Sequence, residues 1–247
     1  LDLANQNEKL YTASLELSDI ELSRLGKLTA RVPLTGRADG SLVISGQNAV
    51  TNLSLFGDVQ GKSGTLRGYP FDNLASNFWF ANHQLSISNL TMQSGQGKWQ
   101  ANGIIDAQHN LNLNIVGQQI KLARLNQLHN YEQLSGTMTL QGHLGGQLSS
   151  PHFSGEVEAK QVKYLNYKFD SIAGLVTYHD QQVDLREIIL NRGSSEYYVS
   201  GDLNFQEELR LDLSLETKAG EVADLYKLVS DQQLSTISGQ ITGAVNL

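Results

Sequence analysis

The sequence predicts an all-β protein, a repeating antiparallel sheet curled into an open half-pipe with short helical segments between its repeats. Three observations carry this. Apolar and polar residues alternate with period two along most of the 247 residues, the pattern of strands with one buried face. That pattern returns about a hundred residues further on. Between the alternating runs stand clusters of Gly, Asn, Asp and Ser that read as tight turns, and only three prolines interrupt the ladders.

Taken in chain order, the first alternating run is Tyr11 to Leu17. IELSRLGKL at 20–28 then sets Leu22, Leu25 and Leu28 three residues apart, as in a short helix or helical turn that lays one side on the sheet. A Gly-led strand, DGSLVISG, follows with Leu42 and Ile44 in alternation. GDVQGKS at 57–63 is one residue short of the phosphate-binding spacing G-x-x-x-x-G-K-[ST]. Its counterpart 98 residues on, GEVEAKQ at 155–161, has Ala159 for Gly61 and Gln161 for Ser63. A phosphate cradle would lose its glycine and its hydroxyl. A strand loses nothing, because Val59 and Val157 keep one face, Asp58 and Glu156 the other, and Lys62 points to solvent.

From Gly57 and Gly155 the internal match runs without a gap to Ile115 and Leu213. It pairs Tyr69 with Tyr167, Phe71-Asp72 with Phe169-Asp170, Gly95 with Gly193 and Gly103 with Gly201, then Leu111 and Leu113 with Leu209 and Leu211. Within it the apolar phase slips between Ile87 and Leu90 in LSISNLTM, and between Leu185 and Ile188 in VDLREIIL, which predicts a bulge at one position in both repeats. Turn clusters stand at SGQG (94–97), DAQHN (106–110), NRGSS (191–195) and NFQEE (204–208). The helical segment returns at a spacing of 100 as IKLARLNQL (Leu122, Leu125, Leu128) and again as EVADLYKL (Val222, Leu225, Leu228). Each is followed by a Gly-led strand, SGTMTLQG and SGQITGAV. One repeat therefore holds about seven strands and a short helix, adding roughly 34 Å of groove at about 4.8 Å per strand.

A unit this long is no single coil of a β-helix or propeller blade. Short turns favour a meander, and a sheet with one apolar face and little helix to cover it must curl on itself. The expected organisation is one continuous array over 1–247, with a partial repeat at 1–39, repeats at 40–135 and 136–238, and a partial one at 239–247. Both ends fall inside the pattern, so the sequence reads as a piece of a longer chain.

Composition excludes several classes of function. A formal net charge of −7 with 18 scattered Lys and Arg argues against nucleic acid, which takes clustered cations. With no Cys there is no disulfide framework, thiol nucleophile or Cys-ligated zinc. No run reaches the roughly 18 apolar residues of a membrane-spanning helix. His83, His109, His129, His143, His152 and His179 show no i, i+4 metal pair. Asp72 and Asp170 each stand after Phe at a strand start, where Asp caps a turn. No G-x-S-x-G elbow is present. Two N-x-[ST] patterns, at Asn52 and Asn89, carry no weight. The reading is a non-enzyme with no cofactor and no metal.

What remains is the apolar strand face. The residues that parity assigns to it as candidates for a lipid groove are Leu15, Leu17, Leu42, Ile44, Phe78, Phe80, Leu85, Ile87, Trp99, Leu111, Leu113, Tyr197, Val199, Leu211 and Leu213. Many interchangeable apolar side chains and no buried charge suit acyl chains, since each CH₂ withdrawn from water contributes about 0.8 kcal/mol. The same residues suit a closed core.

LSGTMTLQGHLGGQLSSPHFSGEVEAKQVKY at 134–164, with the preceding L-x-x-L-x-x-L segment, resembles TamB-like proteins of the AsmA-like group. The residues that carry the resemblance are Leu122, Leu125, Leu128, Gly136, Leu140, Gly145, Leu148, Pro151, Gly155 and Val157. The first repeat departs from it with Leu53 in the place of Pro151. The resemblance implies a β-taco with an apolar lumen in the periplasm of a diderm bacterium, anchored in the inner membrane by an N-terminal helix that this sequence does not include. It implies phospholipid as the cargo carried between inner and outer membranes. It also implies an Omp85-type assembly protein of the outer membrane as a partner. Two rivals stand beside it. A scaffold could receive β-strands of outer-membrane proteins by augmentation. An extracellular adhesin or polysaccharide-binding solenoid would show aromatic rows on the solvent face and parallel coils of roughly 20 residues, and the sequence displays neither.

Overall fold

The computed structural model describes residues 10–24, 33–47, 53–124, 134–164, 167–204, 210–221 and 240–246. Fourteen strands succeed one another: β1 Leu10–Glu21, β2 Arg37–Gln47, β3 Leu53–Leu66, β4 Tyr69–Ala81, β5 Gln84–Ser94, β6 Gly97–Ile105, β7 Asn110–Lys121, β8 Leu134–Gln147, β9 Ser150–Tyr164, β10 Tyr167–His179, β11 Gln182–Arg192, β12 Ser195–Asn204, β13 Arg210–Glu221 and β14 Gln240–Asn246. Each is hydrogen-bonded to its chain neighbours, and the order of pairing runs from β1 to β14 without a closing β14–β1 pair. The result is the open, all-β antiparallel sheet that the alternation predicts.

Two compact units divide the chain, Leu1–Asn114 and Ile115–Leu247. Within each, the hairpin turns explain why the strands run on as a meander. Arg67-Gly68, Asn82-His83 and Asp180-Gln181 have positive φ at both central residues, the geometry whose twist matches that of the flanking strands. At 106–110 the turn is held by Asp106, whose Oδ1 accepts the N–H groups of Gln108 (2.9 Å) and Asn110 (2.7 Å). Hydrogen bonds from Asn110 keep that carboxyl below its ordinary pKa. His83 holds φ at +60° without being glycine. His83→Gly should therefore raise stability by about 0.5–1 kcal/mol, read as an increase in the urea midpoint.

The bulges fall where the sequence phase slips. Register shifts between Ile87 and Leu90 on β5 and between Leu185 and Ile188 on β11. Left-handed backbone positions recur as well: Ser63 with Gln161, Gly95 with Gly193 and Gly103 with Gly201 at a spacing of 98, Asp19 with Gln119 and Gly36 with Gly136 at 100. Even a turn cap recurs. The Gly95 N–H donates to Asp72 Oδ2 at 2.5 Å and the Gly193 N–H to Asp170 Oδ2 at 2.7 Å.

Two details of the sequence reading need correction. Six strands, β2 to β7, separate the helical turn at 22–24 from that at 122–124, where about seven were expected. The strands are longer than the alternating runs suggest, up to 15 residues in β9. Six advance the sheet by roughly 29 Å at about 4.8 Å each. The gapless match also ends at Gly103 and Gly201. A Cβ built on Gly103 would lie 2.9 Å from the Leu113 Cα, and one on Gly201 would lie 3.0 Å from the Leu213 Cα. Leu113 thus corresponds to Leu213, a spacing of 100, with two extra residues in the connection before β13. A slip of two residues leaves side-chain parity unchanged, so alternation alone could not reveal it.

The helical segments are described only in their first residues, 22–24 and 122–124; Leu25, Leu28, Leu125, Leu128 and the whole of the third segment lie outside the described residues. Leu22 (1% exposed) and Leu122 (6%) are buried. In the N-terminal unit a Cβ on Gly61 would meet Leu22 Cδ1 at 3.0 Å, with Leu74 and Phe71 at 3.6 Å. In the C-terminal unit Leu122 packs with Ala159 and Val162 against Leu134, Met138, Phe169 and Ile172. The near-miss phosphate motif is therefore β3, and its Gly61 is the seat of a leucine.

Candidate functional site

Register places the apolar face as rows running across the strands. In the N-terminal unit the row nearest Leu22 is Ile20, Ala38, Gly61, Leu74, Met92 and Trp99. Ala38, Leu74 and Met92 are buried, and Trp99 packs edge-on against Tyr69 with ring centroids 5.8 Å apart. The next row is Leu17, Gly40, Val59, Ser76, Leu90 and Ala101. Beyond it come Leu15, Leu42, Gly57, Phe78, Ile87 and Gly103, then Ala13, Ile44, Leu55, Phe80, Leu85 and Ile105.

These last two rows differ from the first in burial. Leu42, Ile44, Leu55, Phe78, Phe80, Leu85, Ile87 and Ile105 are all half-buried, and Leu15 is 45% exposed. Nothing charged interrupts them. Leu42 and Phe78 lean over Gly57, each within 2.9 Å of where its Cβ would stand, so the glycine gap is filled by its neighbours. One end of the face is thus packed and the other is an apolar surface half open to solvent.

The C-terminal unit repeats the scheme. Its packed row is Met138, Ala159, Ile172, Leu190, Tyr197 and Thr217. The corresponding outer rows are Gly142, Gly155, Val176, Leu185, Gly201 and Leu213, and Leu144, Phe153, Tyr178, Val183, Leu203 and Leu211. Of the sequence candidates, Leu15, Leu42, Ile44, Phe78, Phe80, Leu85 and Ile87 come together in one unit's open rows, and Leu211 and Leu213 take equivalent register positions in the other. Leu17 and Val199 belong to the intermediate rows, Val199 opposite Ile188 and Leu215. Trp99 and Tyr197 belong to the packed rows, and Leu111 (6%) and Leu113 (8%) are buried. The open rows also hold Ala13, Leu55 and Ile105 in the N-terminal unit and Leu144, Phe153, Val176, Tyr178, Val183, Leu185 and Leu203 in the C-terminal one, none of them among the sequence candidates although parity puts them on the same face.

The charged groups beside these rows stand on the opposite face. Ser41 Oγ donates to Asp58, and Lys62 is exposed. In the C-terminal unit Asp184, Asp202 and Asp212 stand opposite one another on β11, β12 and β13. The hydrogen bond with Asp184, then desolvation and the Asp184 charge, push the Asp202 carboxyl above its ordinary pKa. A carboxyl raised in the folded state favours folding below the ordinary Asp value and loses that contribution as pH climbs through the raised one. Thermal midpoints should therefore fall across that interval, and Asp202→Asn should flatten the fall and raise the midpoint at neutral pH.

No group of three or more His, Asp or Glu able to hold a metal occurs among the described residues. His83 and His109 sit at positive-φ turn positions, His179 lies 3.5 Å from Asp184, and His129 lies outside the described residues. A depression of about 260 Å³ over β3–β6 is lined by Gln60, Lys62, Gln93 and Lys98 together with Leu74 and Trp99. It does not include the two open apolar rows. No family model, no curated protein and no solved structure matches the chain.

Proposed function

We propose that the half-open apolar rows bind phospholipid acyl chains, and that the chain is a passive, non-catalytic segment of a TamB-like or AsmA-like periplasmic protein that carries lipid between the inner and outer membranes. The observation that supports this is the pair of charge-free rows from Leu15 to Gly103 and from Ala13 to Ile105, each crossing six neighbouring strands. An acyl chain lying along such a row meets a new apolar side chain or glycine at every strand and needs no specific partner atom. Head groups would stay in water at the open margin while tails slide along the rows. The location, the inner-membrane anchor and an Omp85-type partner follow from the sequence resemblance and are part of the same proposal.

Native mass spectrometry of the protein purified from bacterial envelopes tests the reading. Phospholipid adducts that disappear on delipidation and return on incubation with vesicles are expected. A protein that never carries lipid, before or after exposure to vesicles, would overturn it.

A further inference from the structure

The opposite face of the N-terminal unit bears a row that the lipid reading does not use. Val43, Phe56, Trp79, Ser86 and Ile104 stand directly opposite one another on β2 to β6. Phe56 is 56% exposed, Trp79 54%, Val43 38% and Ile104 37%. The sequence shows no such row, because each member stands alone in its own strand and only register assembles them. The internal repeat supplies a control. The equivalent positions in the C-terminal unit are His143, Ser154, Thr177, Asp184 and Asp202, so the fold does not require apolar residues here. Leaving Phe and Trp in water forgoes the gain that burying such large apolar side chains would bring.

The flanks of the row define its partner. On one side run Asp58, Asn77, Asn89, Asn102 and Asn114, with Asn114 Nδ2 donating to Asn102 Oδ1 at 3.3 Å. On the other run Ser45, Ser54, Ala81 and Gln84. Neither flank holds a Lys or Arg, which an anionic membrane surface would require. Flat aromatic faces bordered by amides, hydroxyls and the single carboxylate of Asp58 match a pyranose chain, with C–H faces for the rings and hydroxyl edges for the polar groups. Row members are one strand apart, about 4.8 Å, close to the length of one sugar unit in an extended chain.

We propose that this face binds an uncharged glycan strand laid across β2 to β6, with Trp79 and Phe56 as its stacking platforms. The site is on the face opposite the lipid rows and stands without them. Isothermal titration of the 247-residue chain with the hexamers of N-acetylglucosamine and of glucose tests it, alongside Trp79→Ala, Phe56→Ala and Thr177→Ala, the last being the position equivalent to Trp79. Binding of either hexamer, weakened about ten-fold or more by Trp79→Ala and unchanged by Thr177→Ala, is the expected result. Binding of neither hexamer, or equal binding by wild type and a folded Trp79→Ala, overturns the proposal. So does Trp79-dependent attachment to phosphatidylglycerol vesicles without hexamer binding. Lipid adducts measured on the same variants separate this outcome from that of the lipid reading, since Trp79→Ala leaves them in place.

Discussion

Alanine at Gly103 is expected to cost the chain about 3 kcal/mol, seen as a large drop in the urea midpoint with an unchanged slope. Gly103 has φ +138°, and a Cβ there would lie 2.1 Å from the Asn112 carbonyl oxygen. That oxygen belongs to the neighbouring strand, so the clash can be relieved only by breaking the β6–β7 ladder. Gly201 is in the same state, with φ +130° and the Asp212 oxygen at 2.0 Å. Gly61→Ala is the matched control. Its Cβ would be tight only against the end of the Leu22 side chain, at 3.0 Å, with Leu74 and Phe71 at ordinary contact distance, and the other repeat already has Ala159 in that seat. A loss below about 1 kcal/mol is expected there. Equal effects at Gly103 and Gly61 would show that the close strand approach is not what requires glycine.

Phe80→Glu or Leu85→Glu should remove bound phospholipid, by about ten-fold or more at a fixed vesicle concentration, while circular dichroism still reports a folded sheet. Both side chains lie in the outermost apolar row and are half-buried. A carboxylate there can reach water when the row is empty, but it must be desolvated when a tail covers it, at a cost of several kcal/mol. Since each covered CH₂ contributes only about 0.8 kcal/mol, one charge offsets the gain from several. Leu113→Glu is the wrong probe despite its place among the sequence candidates. Leu113 is 8% exposed, so its replacement tests folding before it tests binding. Full lipid retention by a folded Phe80→Glu chain would refute the acyl-chain reading.

How much of this could be read from the sequence depends on what period two records. Alternation gives the face of every residue, the bulges at Ile87/Leu90 and Leu185/Ile188, and the strand nature of GDVQGKS, because each is a matter of parity. It does not give register. The shift of two residues before β13, the six-strand count and the membership of each row all depend on which residue stands opposite which. Trp79 illustrates the limit. In its own strand it is one aromatic in NFWF, and only beside Phe56 and Ser86 does it become part of a surface. Burial was likewise hidden. Nothing local distinguishes Trp99, in a packed row, from Phe80, in an open one, because the leucines that close the packed end come from residues 22 and 122, far away in sequence.

Leu22 follows β1 yet its side chain reaches Gly61 on β3, and Leu122 follows β7 yet belongs with the side chains of β9 and β10. Each leucine therefore braces strands that come after it in the chain. Removing residues 22–121 and joining Glu21 to Leu122 would exchange one brace for its counterpart and leave every remaining pairing rule intact. Length in this architecture is thus counted in whole modules of one hundred residues. A gene encoding it can lengthen or shorten its product by recombination between repeats, without any intermediate whose sheet has lost its clasp.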